Sequence, residues 1–405
     1  MTYIYYFLIL LSLIGIALGR YPNLRMNRST IAMVAAVFLV FTGGISLEEA
    51  YLSINLDTIL LLFAMMIINV NLSIAGFFQI VASKVNNVAK SPKILLAYVI
   101  FWSGILSALF LNDTICVMFT PLILEITLRL KRNPLPYLMG LATAANVGST
   151  ATIIGNPQNM LIGIAGKISF VNFLINQLPV AVLGLVFIWL VIVLIYRSEF
   201  KEKTFSENVE YKPKIYKPLL VKSIITTFGM VVLFFSGLPV TLAALIGASA
   251  LLITRRLKPQ RVFIEIDWGL LVFFSGLFVI TGAIETTGLG EYFFSVLKPI
   301  SGESTFNLSV VSVVLSNLIS NVPAVLLYLP IIKSFANPEK AYLVLAMATT
   351  LAGNVTLLGS VANLIVAETA KKRGINLSFT EYLKAGLPIA IITLAIGIIW
   401  FSIII

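Results

Sequence analysis

Histidine is absent from this 405-residue chain, and cysteine occurs once, as Cys116. The first absence removes zinc hydrolases, haem ligation, Ser-His-Asp triads and histidine proton relays. The second removes a disulfide framework or a thiolate metal cluster within one chain. Charge is also scarce: 11% of residues are Asp, Glu, Lys or Arg, against about 25% in soluble proteins. What fills the chain instead is apolar, at 59% hydrophobic residues with 26 glycines besides. So little polar surface cannot cover a core of this size in water, and lipid must be the solvent.

A membrane helix needs about 20 mostly apolar residues, because each adds about 1.5 Å across a core about 30 Å thick. That ruler places spans near 3–19, 29–45, 57–81, 138–165, 174–196, 218–236, 239–255, 267–286, 340–369 and 382–404. The first run, Tyr3 to Leu18, has no basic residue ahead of it and Arg20 behind it, so it reads as a retained span rather than a signal peptide. Two stretches, 94–130 and 305–335, are apolar but interrupted, by Leu111-Asn112-Asp113-Thr114 and by Ser320-Asn321-Val322-Pro323. Each reads as a re-entrant hairpin or as two crossings.

The net charge of +11 resembles a nucleic-acid signal, but its distribution is topological. With both interrupted stretches returning to the side they entered from, all but four of the 28 basic residues fall on one side. The exceptions are Lys167, Lys298, Lys333 and Lys340. Cytoplasmic loops collect Lys and Arg, so the expectation is ten crossings in a plasma membrane with both termini outside. No nucleic-acid partner is expected.

The hairpin reading comes from an internal repeat. Asp57-x-x-Leu60-Leu61-x-Phe63 matches Asp267-x-x-Leu270-Leu271-x-Phe273. Asn112 and Asn321 are each followed nine residues on by a proline, Pro121 and Pro330. Thr152-x-x-Gly155-x-x-x-Asn159 then matches Thr356-x-x-Gly359-x-x-x-Asn363. Five crossings per unit turn the second unit upside down. The fold class expected is therefore an all-α polytopic membrane protein with two inverted-topology repeats, ten crossings, two re-entrant hairpins and two broken helices. Residues 1–197 form the first repeat, 198–217 a cytoplasmic linker and 218–405 the second repeat. Inverted halves with interrupted hydrophobic segments at matching places point to a secondary transporter's binding site.

Polar groups in hydrocarbon survive only inside protein or beside a wet cavity. Asn146-Val147-Gly148-Ser149-Thr150-Ala151-Thr152 and Gly155-Asn156-Pro157-Gln158-Asn159 break one span, and 349–363 breaks its counterpart. Glycine and proline interrupt the helix ladder there, leaving carbonyl, hydroxyl and amide oxygens able to hold a cation or a polar solute. Close helix packing is the alternative use of such small residues. Candidate solute ligands are Asn112, Thr114, Ser149, Thr150, Asn156, Asn159, Ser320, Asn321, Asn354, Thr356 and Asn363. Candidates for proton or cation coupling are Asp113, Asn146, Gly148, Thr152, Thr350 and Gly353. No resident metal or cofactor is expected, although Na⁺ fits the same broken helices.

The remaining embedded acids read as structural. Glu125 and Glu368 face Arg129 and Lys372 at i+4 spacing, while Asp57 and Asp267 open their spans. Glu285, near the outer end of its span, could be structural or functional. Asp113 has no basic residue at helical spacing, which singles it out for proton binding and release.

Leu111-Asn112-Asp113-Thr114 with Phe119-Thr120-Pro121 resembles the first hairpin of arsenite efflux permeases and related carriers of the ion transporter superfamily, which share a citrate-transporter-like domain. The runs Ala145 to Thr152 and Gly155 to Asn159, continuing into Lys167-Ile168-Ser169-Phe170, are similar to plant silicon-efflux transporters. The resemblance implies hairpin tips meeting at a central site, and cation- or proton-coupled transport of an oxyanion or weak oxyacid. In sodium-coupled dicarboxylate relatives both tips carry Ser-Asn-Thr. The positions here read Leu111-Asn112-Asp113 and Ser320-Asn321-Val322, a departure that disfavours dicarboxylates.

The expected function is export of arsenite, antimonite or silicic acid in exchange for protons. Sodium-coupled dicarboxylate or anion symport and Na⁺/H⁺ antiport are the alternatives within transport, and a channel is the alternative outside it. An enzyme is not expected; a homodimer is compatible with the sequence. Lys and Arg occur only toward span ends, as at Lys222 and Lys384, and none lies near a tip in the sequence, while a helix N-terminus offers only about half a charge. A solute of charge −2 therefore lacks a fixed counter-ion. Arsenite, antimonite or silicic acid should accordingly outcompete succinate and citrate in sodium-free buffer, as read by a thermal-shift panel. Dicarboxylates winning without sodium would overturn the proton-exchange reading.

Overall fold

The computed structural model describes residues 2–19, 25–202, 204–205, 213–254, 257–302 and 304–403. Arg20, Lys203, Lys212, Arg255 and Arg256, all used in the charge argument, lie outside the described residues. Among those described, regular structure is helical throughout, with no strand. The N-terminal half carries α1 (Thr2–Leu18), α2 (Arg28–Phe41), α3 (Leu47–Ser53), α4 (Leu56–Ile74), α5 (Phe77–Val88), α6 (Pro92–Leu109), α7 (Asn112–Arg129), α8 (Pro134–Ser149), α9 (Pro157–Ala165) and α10 (Phe170–Ile195). The C-terminal half carries α11 (Lys217–Phe235), α12 (Val240–Leu252), α13 (Pro259–Ile264), α14 (Trp268–Thr286), α15 (Leu289–Ser301), α16 (Thr305–Ile319), α17 (Asn321–Ile332), α18 (Pro338–Ala352), α19 (Val361–Lys371) and α20 (Phe379–Ile403). A single 3₁₀ turn, Leu357–Gly359, lies between α18 and α19. Six helices, α4, α6, α10, α11, α14 and α20, are long and apolar enough to cross a membrane. The chain is a multi-pass helical membrane protein.

Local chemistry accounts for most helix starts. Ser91, Asn133 and Asn156 cap α6, α8 and α9 with side-chain oxygens, and proline occupies the first turn of each, where its missing N–H costs nothing. Asp267 caps α14 by accepting from Leu270 N at 3.0 Å. Asp57 instead sits in the first turn of α4, which Asn55 caps. The 57–81 span is shorter than expected. It ends at Ile74, and Gly76, at φ +84°, turns the chain into α5. A Cβ on Gly76 would stand 2.2 Å from the carbonyl oxygen of Lys214, so the segment before α11 lies directly on this junction. Tyr216 N donates to Ala75 O there at 3.1 Å.

The halves pack by exchange. α2 lies on α14 and α12 on α4; α7 lies on α19 and α17 on α9; α10 lies on α20. Within each half, α6 packs on α8 and α16 on α18. Of the two expected helix-end ion pairs, Glu125–Arg129 forms at 2.6 Å. Glu368 and Lys372 make only their helical backbone bond.

A buried ionic cluster ties the end of α10 to the turn between α7 and α8. Arg132 Nε meets Glu199 Oε1 at 2.8 Å, with side chains only 10% and 9% exposed. A second guanidinium nitrogen reaches Glu202, and a third the Glu199 carbonyl. Tyr137 Oη donates to Glu199 Oε1 at 3.0 Å and Asn133 N to Oε2 at 3.3 Å. Burial opposes the charge of Arg132, but the hydrogen bond to Glu199 and the fields of Glu199 and Glu202 outweigh it, so the guanidinium is held protonated above its ordinary range. Removing one partner of such a pair strands a buried charge, at about 3–5 kcal/mol. Arg132→Ala should lower the melting temperature by that equivalent. Glu202→Gln, whose carboxylate is 61% exposed, should shift it by less than about 1 kcal/mol. Equal effects would contradict the cluster's burial.

Candidate functional site

Between α8 and α9, and again between α18 and α19, the chain leaves α-helical geometry; the first break is buried throughout, and the second is buried except around Val355, Thr356 and the exposed Leu358. Peptide groups freed there must find partners inside the protein. One asparagine meets the need in each break. Asn159 Nδ2 donates to Ser149 O and Thr152 O, both at 3.0 Å. Asn363 Nδ2 donates to Gly353 O at 2.7 Å and Thr356 O at 3.2 Å. The matched Thr-x-x-Gly-x-x-x-Asn spacing thus builds two matched loops.

The loops are then locked to each other. Asn146, at the end of α8, sends Nδ2 to Asn354 Oδ1 at 2.9 Å and to Asn363 Oδ1 at 3.1 Å. Its Oδ1 accepts from Ser360 Oγ at 3.0 Å and Asn112 Nδ2 at 3.1 Å. Thr350, at the end of α18, returns the arrangement. Its hydroxyl donates to Asn159 Oδ1 at 3.1 Å and accepts from Asn156 Nδ2 at 3.2 Å. Each pre-break residue therefore bonds the cap and the loop-closing asparagine of the other break. Asn354 Nδ2 adds a bond to Thr143 O at 3.2 Å, and Ser149 Oγ receives Asn156 Nδ2 at 3.0 Å.

The α6–α7 turn meets the first break squarely. Asn112 N donates to Gly155 O at 3.0 Å, and Thr152 Oγ1 donates to Ala108 O at 2.5 Å. The α16–α17 turn meets the second break through a different residue from the one expected. Asn317 Nδ2 donates to Ala352 O at 3.2 Å, and its Oδ1 accepts from Thr356 Oγ1 at 3.2 Å. Asn321 is not part of this contact, and its buried Oδ1 has no protein partner. Ser320 makes the whole turn alone at φ +80°, a left-handed conformation that strains any residue but glycine. Sequence reasoning missed Asn317, though a signal existed. It stands four residues before Asn321, as Ala108 stands four before Asn112.

Asp113 is half-buried and its backbone N donates to Asn112 Oδ1 at 2.9 Å, while its carboxylate makes no hydrogen bond among the described residues. Arg28 and Asp267 lie within its electrostatic range. The expectation of no cation near either tip is therefore corrected: distance along the chain concealed Arg28, whose charge reaches Asp113 in the folded protein. The acid Asp267 opposes its field. Thr114 accepts from Asn69 Nδ2 at 3.3 Å, a second residue that sequence reasoning passed over. Gly148 serves packing, since a Cβ there would stand 2.2 Å from Gly104 O. The carbonyls of Gly148 and Gly353 already accept from Ala151 N and Asn363 Nδ2.

Four serines were also overlooked. Ser103 and Ser107 on α6, and Ser312 and Ser316 on α16, stand nine and five residues before Asn112 and Asn321 respectively. All are essentially inaccessible, and their hydroxyl oxygens have no protein partner. No His, Cys, Asp or Glu cluster able to hold a metal occurs among the described residues. The site is thus a lattice of neutral amides and hydroxyls with one carboxylate at its edge. It can bind a hydroxylated or weakly charged solute and exchange a proton.

A family profile described as citrate transporter matches residues 6–342. The chain is 32% identical to the silicon efflux transporter LSI3 of Oryza sativa subsp. japonica, with 93% of each chain covered. It is 27% identical to the putative transporter arsB of Dictyostelium discoideum, covering 93% of this chain and 87% of that one. The crystal structure of the YdaH transporter of Alcanivorax borkumensis has a similar fold, at TM-score 0.55 and 15% identity, covering 99% of this chain and 96% of that one.

Asn146 ties together more of this lattice than any other candidate named from sequence. A buried polar group left without its partner costs about 1–3 kcal/mol, and Asn146→Ala strands several. It should lower the melting temperature markedly more than Thr350→Val, and Asn146→Gln should not restore it. Equal, small shifts would show that the lattice does not hold the breaks together.

Proposed function

Because the chain belongs to the citrate transporter family, we propose that it is a secondary active carrier exporting a small, neutral or singly charged oxyacid in exchange for protons. The observation that carries this reading is the neutrality of the interlocked breaks. Asn112, Ser149, Thr150, Asn156, Asn159, Asn354 and Asn363 offer amides and hydroxyls, and the field of the nearby Arg28 is opposed by Asp267. Arsenous and silicic acids are polyhydroxylated and mostly neutral at neutral pH, so such groups suffice to bind them. The relative named for silicon efflux supports the solute class.

In this reading Asp113 takes a proton from one side of the membrane and gives it up on the other, with Thr114 and Asn69 lining the same tip. Residues 1–197 and 218–405 form two inverted repeats joined by 198–217, in ten crossings with both interrupted stretches re-entrant. The exchange of α2 with α14 against α12 with α4, and of α7 with α19 against α17 with α9, supports the duplication. Contact of the α6–α7 turn with the middle of the α8–α9 break supports a tip at membrane depth. A second reading, sodium coupling, is favoured by one observation: the partnerless hydroxyls of Ser103, Ser107, Ser312 and Ser316 supply oxygens of the kind a small hard cation takes.

Purified protein in proteoliposomes separates these readings. Arsenite or silicic acid flux should saturate and follow an imposed pH gradient, which a channel would not couple. Asp113→Asn keeps size and hydrogen bonding but removes the titratable proton, and should reduce proton-driven flux at least tenfold with the melting temperature unchanged. Unaltered proton-driven flux in that variant would move coupling elsewhere. Flux driven by a sodium gradient alone, and lost in Ser107→Ala with Ser316→Ala, would install the sodium reading.

A further inference from the structure

A cavity of about 550 Å³ opens between α14, α15 and α17, outside the interlocked breaks. Its walls are apolar, chiefly Ile284, Phe293, Leu326, Leu327 and Ile331. Glu285 and Glu291 stand at its rim, both exposed. Neither is paired with a basic residue in the ion pairs formed among the described residues. α5 holds the place among the first ten helices that α15 holds among the second ten. Around α5, the rings of Phe77, Phe78, Phe110 and Phe119 meet edge to face at 5.4–6.3 Å.

The size falls within the roughly 300–1,000 Å³ of small-molecule sites, and the lining sets the chemistry. An acyl chain would fill the walls and leave two carboxylates unanswered. A bare inorganic cation would answer the carboxylates and leave the apolar walls wet. A compact cation carrying aromatic or alkyl bulk satisfies both, and Phe293 adds a ring face for it. α17 follows the strained Ser320 turn, so an occupant lodged against Leu326 and Leu327 on one side and Ile284 on the other would brace α17 against α14 and oppose movement between them. We propose that this cavity binds an amphipathic monovalent cation, and that its occupancy inhibits flux. The second clause rests on the carrier reading; the first does not.

The test uses the full chain, purified, with tetraphenylphosphonium as probe and tetraphenylborate as its isosteric anion. Tetraphenylphosphonium should bind saturably at one per chain, at least tenfold more tightly than the borate. Glu285→Gln with Glu291→Gln should weaken it at least tenfold at unchanged melting temperature. If that double variant fails to fold, Glu291→Gln alone, on an exposed surface, must weaken binding at least threefold. Non-saturable uptake, equal affinity for the anion, or unchanged affinity in the variants overturns the site. In proteoliposomes, inhibition should track occupancy and be lost with it. Binding without inhibition of a measurable flux removes the second clause, whereas binding to a protein with no flux on any solute counts against the carrier reading alone.

Discussion

The reciprocal bonds of Asn146 and Thr350 are the constraint on which the rest of the molecule depends. A helix broken in an apolar interior exposes peptide groups that water cannot reach. Each break here closes its own loop with one asparagine, Asn159 or Asn363, and then relies on the opposite half to orient that asparagine. Neither break is complete alone. The packing of α8 on α19 and α18 on α9 follows, because it is what brings the two pre-break residues within reach of the opposite caps.

The two breaks are matched but not identical, and the differences are chemical. The first faces a turn that supplies backbone groups, Ala108 O and Asn112 N. The second faces a side chain, Asn317. The first turn carries a carboxylate and takes two residues; the second is neutral and takes one strained serine. A lattice built from neutral amides and hydroxyls keeps charge in hydrocarbon to a minimum.

Much of this was legible in the sequence because the relevant spacing is local. Thr152 to Asn159 and Thr356 to Asn363 have the same short spacing, and each pair closes a matching loop, Asn159 onto Thr152 O and Asn363 onto Thr356 O. The membrane class was legible from composition, and Asp267 as a helix start from its position. What escaped depends on packing between distant segments. Arg28 is 85 residues from Asp113 in the chain, and only the folded arrangement brings its charge to bear on that carboxylate. Asn317 and the four serines looked like ordinary polar residues in apolar helices, since their meaning lies in partners they lack or find across the fold. Glu368 and Lys372 had ideal spacing, yet surface pairs of that kind gain too little to fix two mobile side chains. The 57–81 span ran too far because Gly76 was read for hydropathy and not for its turn.

The contact of Gly148 with Gly104 carries a mechanical consequence. Backbone against backbone, with no room for a single added carbon, leaves α6 and α8 nothing to slide on: interdigitated side chains can exchange rotamers, whereas two bare chains in van der Waals contact cannot. Together with the cross-linked breaks, this joins α6 and α8 to the loop before α19 and to α18. In a carrier built on this lattice, those helices would travel as one unit.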